Sequence, residues 1–125
     1  MKTHHAAWYK PEYDSTWDRV KAAFANDWEQ TKNDFGSKFA RDLDQDVDDT
    51  IKQMAGKQST VRFGEREFDD MEPAFRYGHA ARRHYNKDYP TWNTELHNKL
   101  KADYQGDWDR DWPLVHHAYG YRYKG

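Results

Sequence analysis

The chain has 125 residues, a net charge of −2 and no cysteine. This length suffices for one domain with its own core and is too short for two ordinary domains. The composition excludes disulfide bonds and thiolate metal sites, and it lacks the strong basic excess typical of nucleic-acid-binding proteins.

Aromatic residues dominate the apolar part of the composition. They make up 17% of the chain and include six Trp and nine Tyr, whereas branched aliphatic residues are few. Each Trp or Tyr can bury roughly 150–250 Å² of surface. We therefore predict an aromatic-rich core whose phenol hydroxyls and indole N–H groups point outward to polar partners or water.

Residues 1–13 show no helical period and are predicted to form an extended N-terminal arm, held down by Trp8 and Tyr9. Asp14 or Ser15 is a suitable N-cap for the first helix. A single helical domain is predicted over residues 14–125. An apolar stripe follows the cap at helical spacing: Trp17, Val20, Phe24, Trp28 and Phe35.

The stripe reaches Gly36-Ser37, where a helix stop and a new N-cap are both favourable. A second stripe continues to Gly56 through Phe39, Leu43, Val47, Ile51 and Met54. Because the two stripes join without a break in phase, a helical hairpin and one long helix kinked at Gly36 both remain open. Residues 57–65 are the predicted linker between two halves, 14–56 and 66–125.

The second half begins with acidic residues from Glu65 to Glu72, which favour a helix N-terminus. This helix is predicted to end at Tyr85. Thr91 is the expected N-cap of the next helix, which is stopped by Gly106, and the final helix is predicted to start around Trp112-Pro113. The sequence thus predicts an all-α fold of about five helices.

One pattern, W-x-x-V-x-x-A-[FY]-x3-[WY], occurs twice, from Trp17 to Trp28 and from Trp112 to Tyr123. The spacing, which is the same in both copies, places these apolar residues on one face of a helix. The chain is therefore predicted to contain two loosely repeated halves around its aromatic core.

The segment Glu72-Pro-Ala-Phe-Arg-Tyr-Gly-His79, the helix from Trp92 to Tyr104 and the closing Trp112-x-x-Val115-x4-Gly120-Tyr121 resemble a group of uncharacterised bacterial helical proteins. Residues 28–56 are also similar to CsbD-like general stress proteins. The resemblance implies a soluble, stress-associated bacterial protein with no catalytic activity to carry over.

Arg76, Arg82, Arg83 and Lys87 form the most basic stretch of the chain, and aromatic residues are interleaved with them. Basic groups neutralise phosphates and aromatic rings stack on bases. Nucleic-acid binding through residues 76–87 is therefore one alternative function.

Seven histidines suggest a second alternative, since imidazole binds transition metals and haem iron. Neighbouring histidines lack the spacing of a local site, because adjacent residues point about 100° apart on a helix. A site would have to combine residues from different helices, for which His79, His97 and His117 are the candidates.

Enzyme chemistry is the class that the sequence supports least, because it contains no nucleophile elbow and no glycine-rich phosphate loop. Trp and Tyr are typical of protein interfaces, and the candidate contact residues are Trp8, Tyr77, Trp108 and Tyr121. We therefore expect a non-catalytic interaction module without a cofactor, which binds a protein partner or a second copy of itself. No stretch approaches the roughly 18 apolar residues of a membrane span, so we expect a cytoplasmic location and no membrane contact.

Overall fold

The computed structural model of this protein describes residues 8–32, 67–104 and 106–121. These residues form four α-helices and no β-strand, which confirms the all-α prediction for this part of the chain. The helices are α1 (Pro11–Thr31), α2 (Phe68–Tyr85), α3 (Thr94–Asp103) and α4 (Trp108–Gly120). The predicted helix over residues 39–54, the two alternatives at Gly36 and the linker 57–65 lie outside the described residues.

The helices α2 and α4 run side by side in the same direction. Gly78 in α2 faces Val115 in α4, and the Arg82 guanidinium donates a 2.8 Å hydrogen bond to the Tyr119 carbonyl near the end of α4. The α1 helix runs antiparallel to α2, because Tyr13 contacts His84 at one end and Trp28 packs on Phe75 towards the other. The α3 helix runs antiparallel to α4 and forms a hairpin with it, because His97 packs on Trp112 and Tyr104, just after α3, packs on Trp108.

The core is aromatic, as the composition predicts. Most of the large residues of the repeated pattern that the structure describes are buried, with Trp17, Phe24 and Trp28 in α1 and Trp112, Val115 and Tyr119 in α4. Neighbouring rings mostly meet edge to face; the Trp28 and Phe75 centroids, for example, are 5.0 Å apart, with the ring planes inclined by 60°. This geometry suits the negative face and positive edge of aromatic rings.

Small residues allow α2 and α4 to approach closely. A Cβ atom placed on Gly78 would lie 2.7 Å from the Ala118 Cβ and still closer to the Val115 carbonyl oxygen. Ala74 and Ala81 lie on the same side of α2 and are buried as well. The contact between the two helices therefore depends on the missing side chain of Gly78.

Many aromatic side chains packed in or against the core have an indole N–H or a phenol hydroxyl that donates a hydrogen bond to a carboxylate. The Trp17 indole donates to Glu72 (2.5 Å), and the Tyr104 hydroxyl donates to Asp111 (2.7 Å). Each pair satisfies a polar atom that burial would otherwise penalise. Acidic residues beside the core thus replace the water to which these groups would bond in an unfolded chain.

The start of α1 differs from the prediction. The helix begins at Pro11 and its N-cap is Lys10, so Asp14 lies in the first turn and the predicted arm is helical from Pro11 onwards. Proline fits the first helical position, because its fixed φ is helical and its missing N–H would have no partner there. The acidic Glu12 and Asp14 favour the same start through the helix dipole.

Two other helix starts were also predicted incorrectly. Asn93, not Thr91, caps α3, and its side chain accepts a 2.8 Å hydrogen bond from the Leu96 N–H. Asp107 caps α4, so this helix begins at Trp108 and contains Pro113 in its interior. The side-chain caps determine both starts, and the proline removes one backbone hydrogen bond within α4.

Candidate functional site

A cluster of aromatic side chains lies where the start of α1 meets the end of α2; it consists of Trp8, Tyr9, Tyr13, His84 and Tyr85 and is called the end cluster below. The Trp8 ring stacks on His84, with centroids 5.1 Å apart and planes inclined by 24°, and meets Tyr85 at 5.4 Å. The Trp8 indole also donates a 3.2 Å hydrogen bond to Asp103 at the end of α3. Trp8 therefore connects α1, α2 and α3.

Polar contacts fix the remaining rings of the end cluster. The Tyr9 hydroxyl donates to Asp14 (2.7 Å), and the Tyr13 hydroxyl and the His84 Nδ1 are 3.1 Å apart. Trp8, Tyr9 and Tyr85 are half-buried and His84 is exposed, so the end cluster presents aromatic surface to the solvent. Sequence reasoning identified Trp8 and Tyr9 as contacts of the arm but not the residues they meet.

Charged residues of both signs lie near His84. Partial burial lowers the pKa of the His84 imidazole, Lys10 lowers it further, and Asp88 acts in the opposite direction. Arg83, in the last turn of α2, and Lys87, in the turn that follows the helix, are exposed nearby. The end cluster therefore combines aromatic rings with exposed basic residues, while the carboxylates of Asp14 and Asp103 bond to its rings.

The four predicted nucleic-acid contacts do not form one patch. Arg76 lies 3.9 Å from Asp14 and 4.0 Å from Glu72, and Arg82 bonds to the end of α4. Only Arg83, in the last turn of α2, and Lys87, in the turn after the helix, are exposed. The tertiary contacts thus divide the basic segment into structural and surface residues.

The predicted interaction residues divide in a similar way. Tyr77 is 8% exposed and donates a 2.8 Å hydrogen bond to the Leu100 carbonyl, and Trp108 is 6% exposed. Both belong to the core and offer almost no surface to a partner. Trp8 and Tyr121 are half-buried at the surface, where the Tyr121 hydroxyl donates to Asp27.

His97 lies between two indoles. The Trp108 Nε1 is 3.0 Å from the His97 Nε2, and the Trp92 Nε1 is 3.3 Å from the His97 Nδ1. A neutral imidazole has a single acceptor nitrogen, so the shorter distance assigns that role to Nε2. A metal on Nε2 would displace the Trp108 hydrogen bond inside the core, and His97 is only 2% exposed.

The other two candidate metal ligands are also packed among rings. His79 lies against Trp17, with centroids 5.6 Å apart, whereas His117 lies against Phe24 at 5.6 Å and Trp28 at 5.7 Å. In the described parts of the chain, no group of three or more His, Asp or Glu residues could hold a metal ion. The predicted site from His79, His97 and His117 is therefore not formed.

Burial makes His79 a source of acid sensitivity. It is 1% exposed, and its pKa is lowered from 6.5 to about 4, first by burial and then by Arg83 and Arg82. The folded pKa is below the unfolded value, so the stabilisation is fully present above pH 6.5 and is lost as the pH falls towards 4. We expect the free energy of unfolding to fall by up to about 3 kcal/mol over this range.

Urea unfolding at a series of pH values, followed by tryptophan fluorescence, measures this dependence. In His79→Leu we expect a smaller slope of unfolding free energy against pH between 6.5 and 4. The readout is the slope, so a general loss of stability in the variant does not affect it. An unchanged slope would show that His79 is not the responsible group.

The two ends of the α2–α4 pair carry opposite charge. Because the helices are parallel, their acidic first turns lie at the same end, where the exposed acidic residues are Glu67, Asp69, Asp70, Asp107 and Asp109, with Arg110 as the opposing charge. Lys10, Arg83 and Lys87 are exposed at the other end, beside the end cluster, with Glu12 and Asp88 as the opposing charges. The sequence places these charges in separate segments, and the fold collects them into two regions.

None of the described helices is long and apolar enough to cross a membrane. No protein-family model matches the chain, and neither a curated protein nor a solved structure matches it.

Proposed function

We propose that this protein is a non-catalytic, stress-associated interaction module of the bacterial cytoplasm that binds through its end cluster. The observation that most supports this proposal is the half-exposed aromatic surface of Trp8, Tyr9 and Tyr85 next to Arg83. Trp, Tyr and Arg are the residues that contribute most to protein interfaces. The stress association comes from the resemblance of Glu72–His79 to the bacterial helical proteins.

The placement of the histidines supports binding rather than acid–base catalysis. His79 and His97 are enclosed by aromatic rings and are almost completely buried. A general acid or base must come within hydrogen-bond reach of a substrate. The exposed His84 is held between Trp8 and Tyr13 as part of the aromatic surface.

The partner best supported is a second copy of this chain. The basic and aromatic end of one copy is complementary in charge to the acidic end of the next. Such a head-to-tail contact joins two different surfaces, so it adds further copies instead of stopping at a dimer. Association of this kind weakens as salt screens the charges.

Sedimentation velocity over a range of protein and salt concentrations tests this proposal. We expect a series of oligomers at low salt that dissociates at high salt and is absent in Arg83→Glu with Lys87→Glu. Reversing the acidic end as well, through Glu67→Lys and Asp69→Lys, is expected to restore association. Arg19→Glu with Lys21→Glu is the control. It changes the net charge of the chain by the same amount, but at positions on α1 away from the end cluster.

A monomer at every concentration would contradict self-association through these ends. Persistence of the oligomers in Arg83→Glu with Lys87→Glu would place the contact elsewhere on the molecule.

Nucleic-acid binding is a second candidate, favoured by the exposed pair Arg83 and Lys87 beside the rings of Trp8 and Tyr85. Bases stack on such rings while the cations contact phosphates. Fluorescence anisotropy of a labelled single-stranded oligonucleotide tests it with the same charge-reversed variants. Salt-sensitive binding that is lost in Arg83→Glu with Lys87→Glu and kept in Arg19→Glu with Lys21→Glu would support it.

A further inference from the structure

A continuous series of indole and phenol rings leads from the core to the surface and is called the ring path below. Its consecutive centroids are 5.0 to 6.5 Å apart. In order, its members are Trp112, Trp92, Trp108, Tyr104, Tyr77, Trp8, Tyr85 and Tyr89. No phenylalanine or histidine interrupts this order, so every ring in it is an indole or a phenol, which lose an electron more readily than those two side chains.

Burial gives the ring path a direction. Trp92, Trp108 and Trp112 are almost completely buried, whereas Tyr89 is half-buried and its hydroxyl bonds at the exposed surface. At centroid distances of this size the ring edges are close to van der Waals contact. An electron vacancy formed on an indole can therefore move from ring to ring towards Tyr89.

The end of the ring path also has a place for the proton. An oxidised phenol is a strong acid, so the vacancy becomes trapped where a base takes up the phenol proton. The Tyr89 hydroxyl donates a 2.6 Å hydrogen bond to Glu95, and this bond is the main reason why the pKa of Tyr89 is raised to about 12. In the resting protein the proton is therefore on the phenol.

Two other phenols also donate to a carboxylate, Tyr104 to Asp111 and Tyr9, beside Trp8, to Asp14. Both carboxylates have a cationic partner, since Arg110 lies 2.9 Å from Asp111 and Arg76 lies 3.9 Å from Asp14, so taking up a proton there would weaken an ion pair.

One branch of the ring path has no carboxylate at its hydroxyl. Tyr119 contacts Trp92, with centroids 5.6 Å apart, but its hydroxyl donates to the backbone carbonyl of Tyr89. An amide carbonyl is a poor proton acceptor. Tyr119 is thus a weaker trap for the vacancy than Tyr89, although it lies nearer to the buried indoles.

We propose that the ring path carries one-electron oxidation from the buried indoles to Tyr89, so that this protein acts as a radical-transfer module. An organic peroxyl radical takes one electron from the path and one proton from water and becomes a hydroperoxide. The vacancy settles on Tyr89 as a phenoxyl radical while the phenol proton moves to Glu95. A low-molecular-weight thiol then returns a hydrogen atom to Tyr89 and leaves as a thiyl radical, and Glu95 releases its proton to water.

Pulse radiolysis of the full chain with azide radicals, which oxidise indoles, tests the transfer. We expect the absorbance of the indolyl radical to decay in step with the rise of the phenoxyl radical, at a rate independent of protein concentration. Peptide mass spectrometry after the pulse is expected to find the oxidation products concentrated at Tyr89. A decay that is only bimolecular would overturn the proposal.

Two variants identify the route. Tyr104→Phe keeps the ring but removes the oxidisable phenol between Trp108 and Tyr77, and Glu95→Gln removes the proton acceptor at an exposed position. Both are expected to lose the products at Tyr89, whereas Tyr121→Phe, whose ring lies against Phe24 outside the path, is expected to keep them. If both variants kept the Tyr89 products at the level of the unmodified chain, the ring path would not be the route.

The folding of each variant is verified by circular dichroism. If Tyr104→Phe fails to fold, Tyr85→Phe interrupts the path next to Tyr89 at a half-buried position and is expected to lose the same products.

Discussion

Gly78→Ala is expected to lower the free energy of unfolding by about 2 kcal/mol or more. The added methyl group would lie 2.7 Å from the Ala118 Cβ and closer still to the Val115 carbonyl oxygen. One of these neighbours is backbone, so α2 and α4 must separate along their whole contact. Overpacking of this kind costs about 3 kcal/mol, and the better helix propensity of alanine offsets up to about 1 kcal/mol of it.

Gly120→Ala is the matched control, because a Cβ atom there has no heavy atom within 4 Å. We expect it to be neutral or slightly stabilising. Urea unfolding of both variants measures the difference, and Gly78→Ala combined with Ala118→Gly should recover part of the loss. Equal stability of the two single variants would show that α2 and α4 do not approach as closely as described.

Trp112→Ala is expected to lower the free energy of unfolding by about 3–5 kcal/mol, the range for removing a buried aromatic side chain and leaving a cavity. Trp112 is 2% exposed and packs between Trp92, at a centroid distance of 6.3 Å, and the edge of His97, at 4.7 Å. Its removal takes away contacts between α3 and α4 that no neighbouring side chain can replace. We expect the α3–α4 hairpin to lose hydrogen-exchange protection first.

Trp8→Ala provides the comparison at a half-buried position. It removes the same side chain but less buried surface. We therefore expect the free energy of unfolding to fall by about half as much as in Trp112→Ala, or less. Thermal unfolding and hydrogen exchange of the two variants test this order. A Trp8→Ala variant that is less stable than Trp112→Ala would mean that the end cluster, not the α3–α4 contact, stabilises this part of the protein.

The burial of the repeated stripe was predictable because it depends on local periodicity. Trp17, Phe24 and Trp28 recur at the spacing of one helical face, and a face this apolar has to be covered by other helices. The repeat also predicted correctly that Trp112 and Tyr119 face the core.

Helix boundaries were less predictable, because several residues compete for each end. Thr91 and Asn93 are both good N-caps, and Pro113 resembles a helix start although it lies inside α4. The packing of Trp108 against His97 and Tyr104 adds a turn to α4 before the proline. Pro73 and Pro113 are both the sixth residue of their helix, a similarity between α2 and α4 that the sequence analysis did not identify.

The sequence by itself determined the fold class, the aromatic nature of the core and the helical faces that enter it, because these follow from composition and short-range spacing. Only the tertiary structure decided which polar group meets which partner, as in the bond of Trp8 to Asp103, the position of His97 between two indoles and the collection of charge at two ends. These pairs join residues on different segments of the chain. Their geometry depends on how whole helices pack, which no local pattern specifies.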